Sequence, residues 1–150
     1  MHNGGRCIHA DDMPQILSEI LQSDLLLFSF PLYCYGMPAP FKALIDRTVA
    51  LFSMTMQKVG ERYEHVGQAD YSKLRYLMIC GCCFPNAVHY FVPAIEKFRL
   101  MLGSDSPIVT VSEAPLFTAP EAAAVTKPFL ETVRTAGRED AQTGCISDET

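Results

Sequence analysis

The side chains able to do chemistry gather in two short stretches. The first is Pro31-Leu32-Tyr33-Cys34-Tyr35-Gly36-Met37-Pro38, in which two aromatic rings lie between prolines beside a glycine. Such rings either cover a neighbouring element by packing or stack on a flat ligand. The second is Cys80-Gly81-Cys82-Cys83-Phe84-Pro85, with three thiols in four positions. A structural zinc site needs a second ligand pair at finger spacing, and none follows. The thiols therefore read first as small apolar side chains of a strand. Cys82 and Cys83 fall where a reactive or ligating thiol would be exposed, although no base stands next to them in the sequence. The other cysteines are Cys7, Cys34 and Cys145, and all six are expected to be reduced thiols. His65 and His89 have no partner at metal spacing, and no Ser-His-Asp set is recognisable. Lys42, Asp46 and Arg47 have helical spacing. Lys42 and Asp46 pair at i,i+4 on a solvated face, or else the three position the preceding loop or a dimer contact.

These stretches must be held by regular elements. Asp11-Asp12 precede Met13, Ile16, Leu17, Ile20 and Leu21, one face of a helix with acidic residues at its positive end and Pro14 in its first turn. Leu25–Phe30 is an apolar run without alternation, which predicts a strand buried on both faces. After the Pro31–Pro40 loop, Phe41, Leu44, Ile45, Val49 and Phe52 share one helical face. Residues 53–72, with Gly60 and Gly67 and mixed polarity, read as an excursion or flap. Tyr76–Cys80 is the second buried strand. Asn86 is placed to cap a helix with Val88, Phe91, Val92, Ile95, Phe98 and Leu102 inward, and Pro93 either kinks it or marks its start. Gly103 closes that helix, and Pro107–Val111 is a shorter, more polar strand nearer an edge. Thr118-Ala-Pro-Glu121 has capping-box spacing, and Pro128 is expected to separate that turn from a last helix with Phe129, Leu130 and Val133 inward. Gly137 to Thr150 reads as a polar, acidic tail. Strand and helix alternate at βαβ spacing, so the class is α/β with a parallel sheet. Ligands of such sheets bind outside the carboxyl ends of the strands, which here are Pro31–Met37 and Gly81–Pro85.

The length of 150 residues suits one domain. Apolar residues make up 49% and charged residues 19%, which excludes a disordered chain or a coiled coil. Twelve basic against seventeen acidic side chains give a net charge of −5, which argues against a nucleic-acid or anionic-membrane partner. No apolar stretch is long enough to span a bilayer, and Met1–Arg6 carries no signal-peptide core. A cytoplasmic location is expected.

Several of these residues together resemble a known family. They are Cys7-Ile-x-x-Asp-Asp-Met13, Ser23-Asp24 before the apolar strand, and Pro31-x-Tyr33-x-x-Gly36-x-Pro38 with Lys42-Ala-x-x-Asp46-Arg47. Gly81-x-x-Phe-Pro85 and the ending Ala136-Gly to Gly144-x-Ile-Ser147 extend the match. The pattern is similar to the flavodoxin-like NAD(P)H-dependent oxidoreductases, closest to the FMN reductase and iron–sulfur flavoprotein branch. The resemblance implies a flavodoxin-like three-layer sandwich around a parallel sheet, with FMN at the strand ends and NAD(P)H as hydride source. It implies that Pro31, Leu32, Tyr33, Tyr35, Gly36 and Met37 lie beside the isoalloxazine ring. Gly81, Cys82, Cys83 and Phe84 would lie on its other edge. In the family, backbone N–H groups near N5, N1 and O2 tune the ring's potential. No catalytic side chain and no metal ligand is assigned.

The family's first strand, its phosphate loop and the helix and strand after it have no counterpart ahead of Leu25. A phosphate needs backbone N–H groups at a helix start, hydroxyls or basic side chains. Gly4-Gly5 follows no strand and reads as a flexible end. With only Cys7 in place of the family's cysteine cluster, an iron–sulfur centre has no support. The expectation is a single flavodoxin-like domain over 1–150, incomplete at its N-terminus, with about three core parallel strands. It would be a degenerate member of the family or a fragment. The edge of Leu25–Phe30 left open in this way is expected to be buried by a homodimer or higher oligomer. Two other readings stand beside the FMN oxidoreductase: a non-catalytic homo-oligomeric α/β module that no longer binds FMN, and a redox or metal-binding protein using Cys80, Cys82 and Cys83.

Overall fold

The structure, a computed structural model, describes residues 9–67, 69–103 and 105–146; Gly4-Gly5, Cys7 and Ser147 lie outside the described residues. In chain order the elements are α1 (Met13–Gln22), β1 (Leu25–Pro31), α2 (Ala39–Arg47), a 3-10 turn (Thr48–Leu51), β2 (Phe52–Val59) and β3 (Arg62–Gly67). Then come β4 (Arg75–Gly81), α3 (Val88–Leu102), β5 (Ile108–Val111), 3-10 turns at Ala114–Thr118 and Pro120–Ala122, and α4 (Ala123–Thr143). The chain divides into two compact units: residues up to Leu26 with Pro38–Arg75, and Leu27–Met37 with Tyr76 onward.

In the first unit the apolar face of α1 forms the core. Met13 and Leu17 are buried with Leu51, and Ile20, Leu44, Ala50 and Tyr71 pack against them. Asp12 holds the cap position without a side-chain cap bond. Asp11 accepts the Met13 N–H (3.1 Å) and an Arg47 guanidinium N–H (2.8 Å). Those two bonds, Arg47 first, hold the Asp11 carboxyl below its usual range. α2 is shorter than its apolar pattern suggests. The Thr48 hydroxyl donates to the Ile45 carbonyl (2.7 Å), the chain tightens into the 3-10 turn, and Phe52 opens a strand instead of extending the helix. Lys42 and Asp46 form an ion pair on the exposed side of α2.

The excursion after Phe52 is a β-hairpin. β2 and β3 pair antiparallel, Met56 opposite His65, Lys58 opposite Tyr63 and Val59 opposite Arg62, with an irregularity between Phe52 and Met56. Gly60, the first residue of the two-residue turn, has φ +62°, a conformation glycine takes without cost. Tyr71 stacks on Phe52 at 5.7 Å and donates its hydroxyl to the Leu51 carbonyl (2.8 Å).

The second unit is built on a three-stranded sheet in the order β1-β4-β5. β4 and β5 run parallel, Met78 opposite Ile108 and Cys80 opposite Thr110. Met78 and Cys80 on the central strand are fully buried, as are Phe91, Ala94 and Phe98 of α3. The Phe28 ring meets Phe98 edge-on at 5.6 Å. β1 is not buried on both faces as its composition suggests. Leu25, Leu27, Ser29 and Pro31 are exposed and alternate with more buried neighbours. β1 is an edge strand among the described residues, and only one of its faces is covered.

The helices correct the sequence reading in three places. Asn86 does not cap α3; Ala87 holds that position, and Val88 and Val92 point outward, because the buried seam is the narrower Phe91, Ala94, Phe98 row. Thr118 and Glu121 form no capping box: the Thr118 hydroxyl donates to the Pro115 carbonyl (2.9 Å), and Ala122 caps α4. Pro128 lies inside α4, which continues through Gly137 to Thr143 where a tail is expected, and Leu130 is exposed. Pro93 and Pro128 are each the sixth residue of their helix. So near the start, a proline removes one backbone bond and leaves the following turns intact.

Candidate functional site at the strand ends

The carboxyl ends of β1, β4 and β5 in the second unit are tied into one rim by backbone bonds. Leu32 N–H donates to the Gly81 carbonyl (2.7 Å) and Cys82 N–H to the Val111 carbonyl (2.9 Å). Ala114 N–H donates to the Cys82 carbonyl (2.8 Å) and Glu113 N–H to the Phe84 carbonyl (3.3 Å). Gly81 permits this closure: a Cβ there would stand 3.1 Å from the Ala114 Cβ.

The rim is strained. Among the described residues, the non-glycine residues with positive φ are Cys34 (48°), Tyr35 (61°), Asn86 (52°) and Glu113 (51°). All four lie in the loops that follow the three strands of a single sheet. Cys34 and Tyr35 are the central pair of a tight turn in which Tyr33 and Gly36 exchange backbone bonds (3.1 and 2.9 Å). A turn with both central residues left-handed normally carries Asn or Gly there. Each left-handed L-residue costs about 1–2 kcal/mol, and such strain persists where the surroundings enforce it, most often at ligand sites.

Onto this backbone the sequence places aromatic rings. Tyr33, Tyr35 and Phe84 are all more than half exposed. Tyr90, in the first turn of α3, is the hub: its ring lies 5.6 Å from Tyr35, 5.5 Å from Phe84 and 3.9 Å from His89. Leu32, Gly36 and Met37 are half-buried beneath the first loop, and Pro31 ends β1 exposed. Cys82 is buried with its thiol toward the Phe84 carbonyl (3.7 Å), and Cys83 and Cys34 are exposed. Burial, with a smaller contribution from Cys82, pushes the Cys80 thiol up to about 11, so it stays protonated near neutral pH. No group of three metal-ligating side chains occurs among the described residues.

The ten residues expected at the site, Pro31 to Tyr33, Tyr35 to Met37 and Gly81 to Phe84, therefore lie on two neighbouring strand-end loops. Lys42 and Arg47 are engaged in ion pairs with Asp46 and Asp11, within the first unit. Sequence reasoning missed Tyr90, Asn86 and Glu113. Only Tyr90 left a usable signal, as an aromatic residue one turn after the Gly81–Pro85 loop.

Residues 8–80 match a family model described as flavodoxin-like fold. None of the curated proteins matches the chain. Among solved structures, a candidate quinone reductase from Klebsiella pneumoniae is similar at 22% identity and TM-score 0.57, over 85% of this chain and 55% of that one. An azoreductase from Bacillus anthracis str. Sterne matches at 14% identity and TM-score 0.56, over 84% and 62%. An FMN-dependent NADH-azoreductase from Bacillus anthracis str. Ames Ancestor, in complex with FMN, matches at 18% and TM-score 0.53, over 85% and 63%. The chain thus spans 55–63% of the length of these structures. Its fold is flavodoxin-like α/β. No helix among the described residues is long and apolar enough to cross a membrane.

Proposed function

We propose that the chain is a flavodoxin-like NAD(P)H-dependent FMN oxidoreductase of the FMN reductase kind. The observation that carries this reading is the gathering of all four left-handed non-glycine residues, with three exposed aromatic rings, at adjoining strand ends of one sheet. When bound, FMN supplies hydride transfer from NADH or NADPH and electron delivery to a small acceptor such as a quinone, a free flavin or a nitro compound. The chain's own part is to hold and shield a flat ring. Tyr33, Tyr35 and Phe84 offer aromatic faces for stacking, and Tyr90 fixes two of them. Gly81 and Cys82 form the floor of the second loop, with Cys83 at its lip. The NADH and FMN named for the Bacillus anthracis relative support the same ring chemistry.

The ring half of FMN fits these residues; its phosphate has no basic holder in loops 31–37, 81–87 and 112–118, which contain no Lys or Arg. That observation favours a second reading, a non-catalytic homo-oligomeric α/β module. Both readings share a homodimer across the edge strand β1, where Leu25 and Leu27 are exposed.

Purified protein mixed with FMN and passed through gel filtration is expected to keep a flavin absorption spectrum and to oxidise NADH or NADPH. Tyr35→Ala is expected to lose the flavin. A wild-type protein that elutes colourless overturns the cofactor reading and leaves the module. Light scattering that shows a monomer overturns the β1-edge dimer under either reading.

A further inference from the structure

The rim has aromatic faces but few groups that hold an anion. A phosphate is held by guanidinium or ammonium groups, by hydroxyls, or by free backbone N–H groups at a helix start. Loops 31–37, 81–87 and 112–118 contain no Lys or Arg. Their aliphatic hydroxyls are those of Ser112 and Thr118, and Thr118 donates its own to the Pro115 carbonyl (2.9 Å). The helices that begin after the first two loops add little. α2 is entered through Pro38 and has Pro40 in its first turn, and neither proline carries an N–H. α3 opens on Ala87 and Val88 without a capping side chain, and the Tyr90 N–H is already bonded to the Ala87 carbonyl (2.8 Å).

The basic side chains of the same unit are Lys97, Arg99, Lys127, Arg134 and Arg138. Arg99 pairs with Glu96, and Arg134 pairs with Glu131. Arg134 first, and then Lys127 and Arg138, hold the Glu131 carboxyl below its usual range. Lys97 lies nine residues past Val88, about 14 Å along α3 from its start. The aromatic side of the rim is built differently. Tyr33, Tyr35 and Phe84 are more than half exposed, and Tyr90 meets the last two rings. Stacking draws on the face of a flat ligand and is indifferent to a charge carried at the ligand's far end.

We propose that the rim recognises the isoalloxazine ring alone, so that its ligand class is the flavin ring with or without a phosphate, and riboflavin and lumiflavin bind as tightly as FMN. The proposal rests on the oxidoreductase reading of the rim and names what that site takes. Phosphorylated and unphosphorylated flavins are then equivalent ligands.

The full chain is titrated into FMN, riboflavin and lumiflavin separately, and binding is read from the polarisation of flavin fluorescence. The three dissociation constants are expected to agree within about threefold. Each charge-assisted bond to a phosphate is worth about tenfold or more in affinity, so even one would set FMN apart. Phe84→Ala removes an exposed ring and is expected to weaken all three flavins alike, by about tenfold. A larger advantage of FMN over riboflavin, or of riboflavin over lumiflavin, overturns the inference and leaves the oxidoreductase reading standing. No binding of any of the three, or binding that Phe84→Ala leaves unchanged, overturns both.

Discussion

The strand-end rim and the β2–β3 hairpin both expose large apolar side chains, but they hold them in opposite ways. On the hairpin, Met54, Met56 and Tyr63 stand on an antiparallel pair, regular from Met56 to the turn, whose one positive φ is given to a glycine. On the rim, Tyr35 lies on a backbone that ordinary side chains avoid, closed by the paired Tyr33–Gly36 bonds and tied to the next strand end by the Leu32–Gly81 bond. Exposure is therefore a poor marker of a site in this molecule. Enforced strain separates the candidate site from the hairpin better, because a relaxed surface loses nothing by drifting to a cheaper conformation, whereas the rim is prevented from doing so.

The largest test of this contrast removes the scaffold under the rim. Phe98 is fully buried and meets Phe28 of β1 edge-on. Phe98→Ala is expected to cost about 3–5 kcal/mol, read from urea denaturation, and to abolish flavin binding. A binding-competent, wild-type-like variant would mean that the rim holds its shape without its core.

A sharper comparison exchanges glycine between the two regions. Cys34→Gly relieves a left-handed residue and is expected to raise stability by about 1 kcal/mol, the lower end of the strain cost. Gly60→Ala introduces the same strain on the hairpin, where a Cβ meets open space, and is expected to lower stability by about 1 kcal/mol. Equal signs for the two would erase the distinction.

The smallest effect is a pH dependence confined to the first unit's side of the comparison. Asp11 titrates below its ordinary value because Arg47 and the Met13 N–H bind its charged form. A lowered folded pKa gives stability that is complete above the unfolded value of about 4 and lost as pH falls through the folded one. Asp11→Asn should therefore narrow the gap between neutral and acid melting temperatures slightly and leave rim binding unchanged.

Much of this was legible in the residues, and the failures have physical causes. The apolar runs at Leu25 and Tyr76 marked strands, and the loops after them were legible as the candidate site, because ligands of parallel sheets bind at strand ends. The run at Leu25 did not reveal one-sided burial, since composition cannot tell an edge strand from a central one. The hairpin had a readable signature: Phe52, Met54 and Met56 alternate with polar residues, and Gly60 sits at the turn. With both faces solvated, however, no buried side enforces a clean pattern through Lys58 and Val59. Glu113 carried no signal and Asn86 read as a helix cap, because what distinguishes both is a backbone angle that composition does not report. Pro93 and Pro128 looked like boundaries and are not, because a helix tolerates proline so early.

Pro93 has one more effect. It offers no N–H to the carbonyl of His89, so the turn bearing Tyr90 is held to the remainder of α3 by fewer backbone bonds than any later turn. Amide hydrogen exchange should report that turn as a separate, low-energy opening, while the stretch around Phe98 exchanges only with global unfolding. The hub of the aromatic rim would then breathe on its own while the sheet beneath it stays closed.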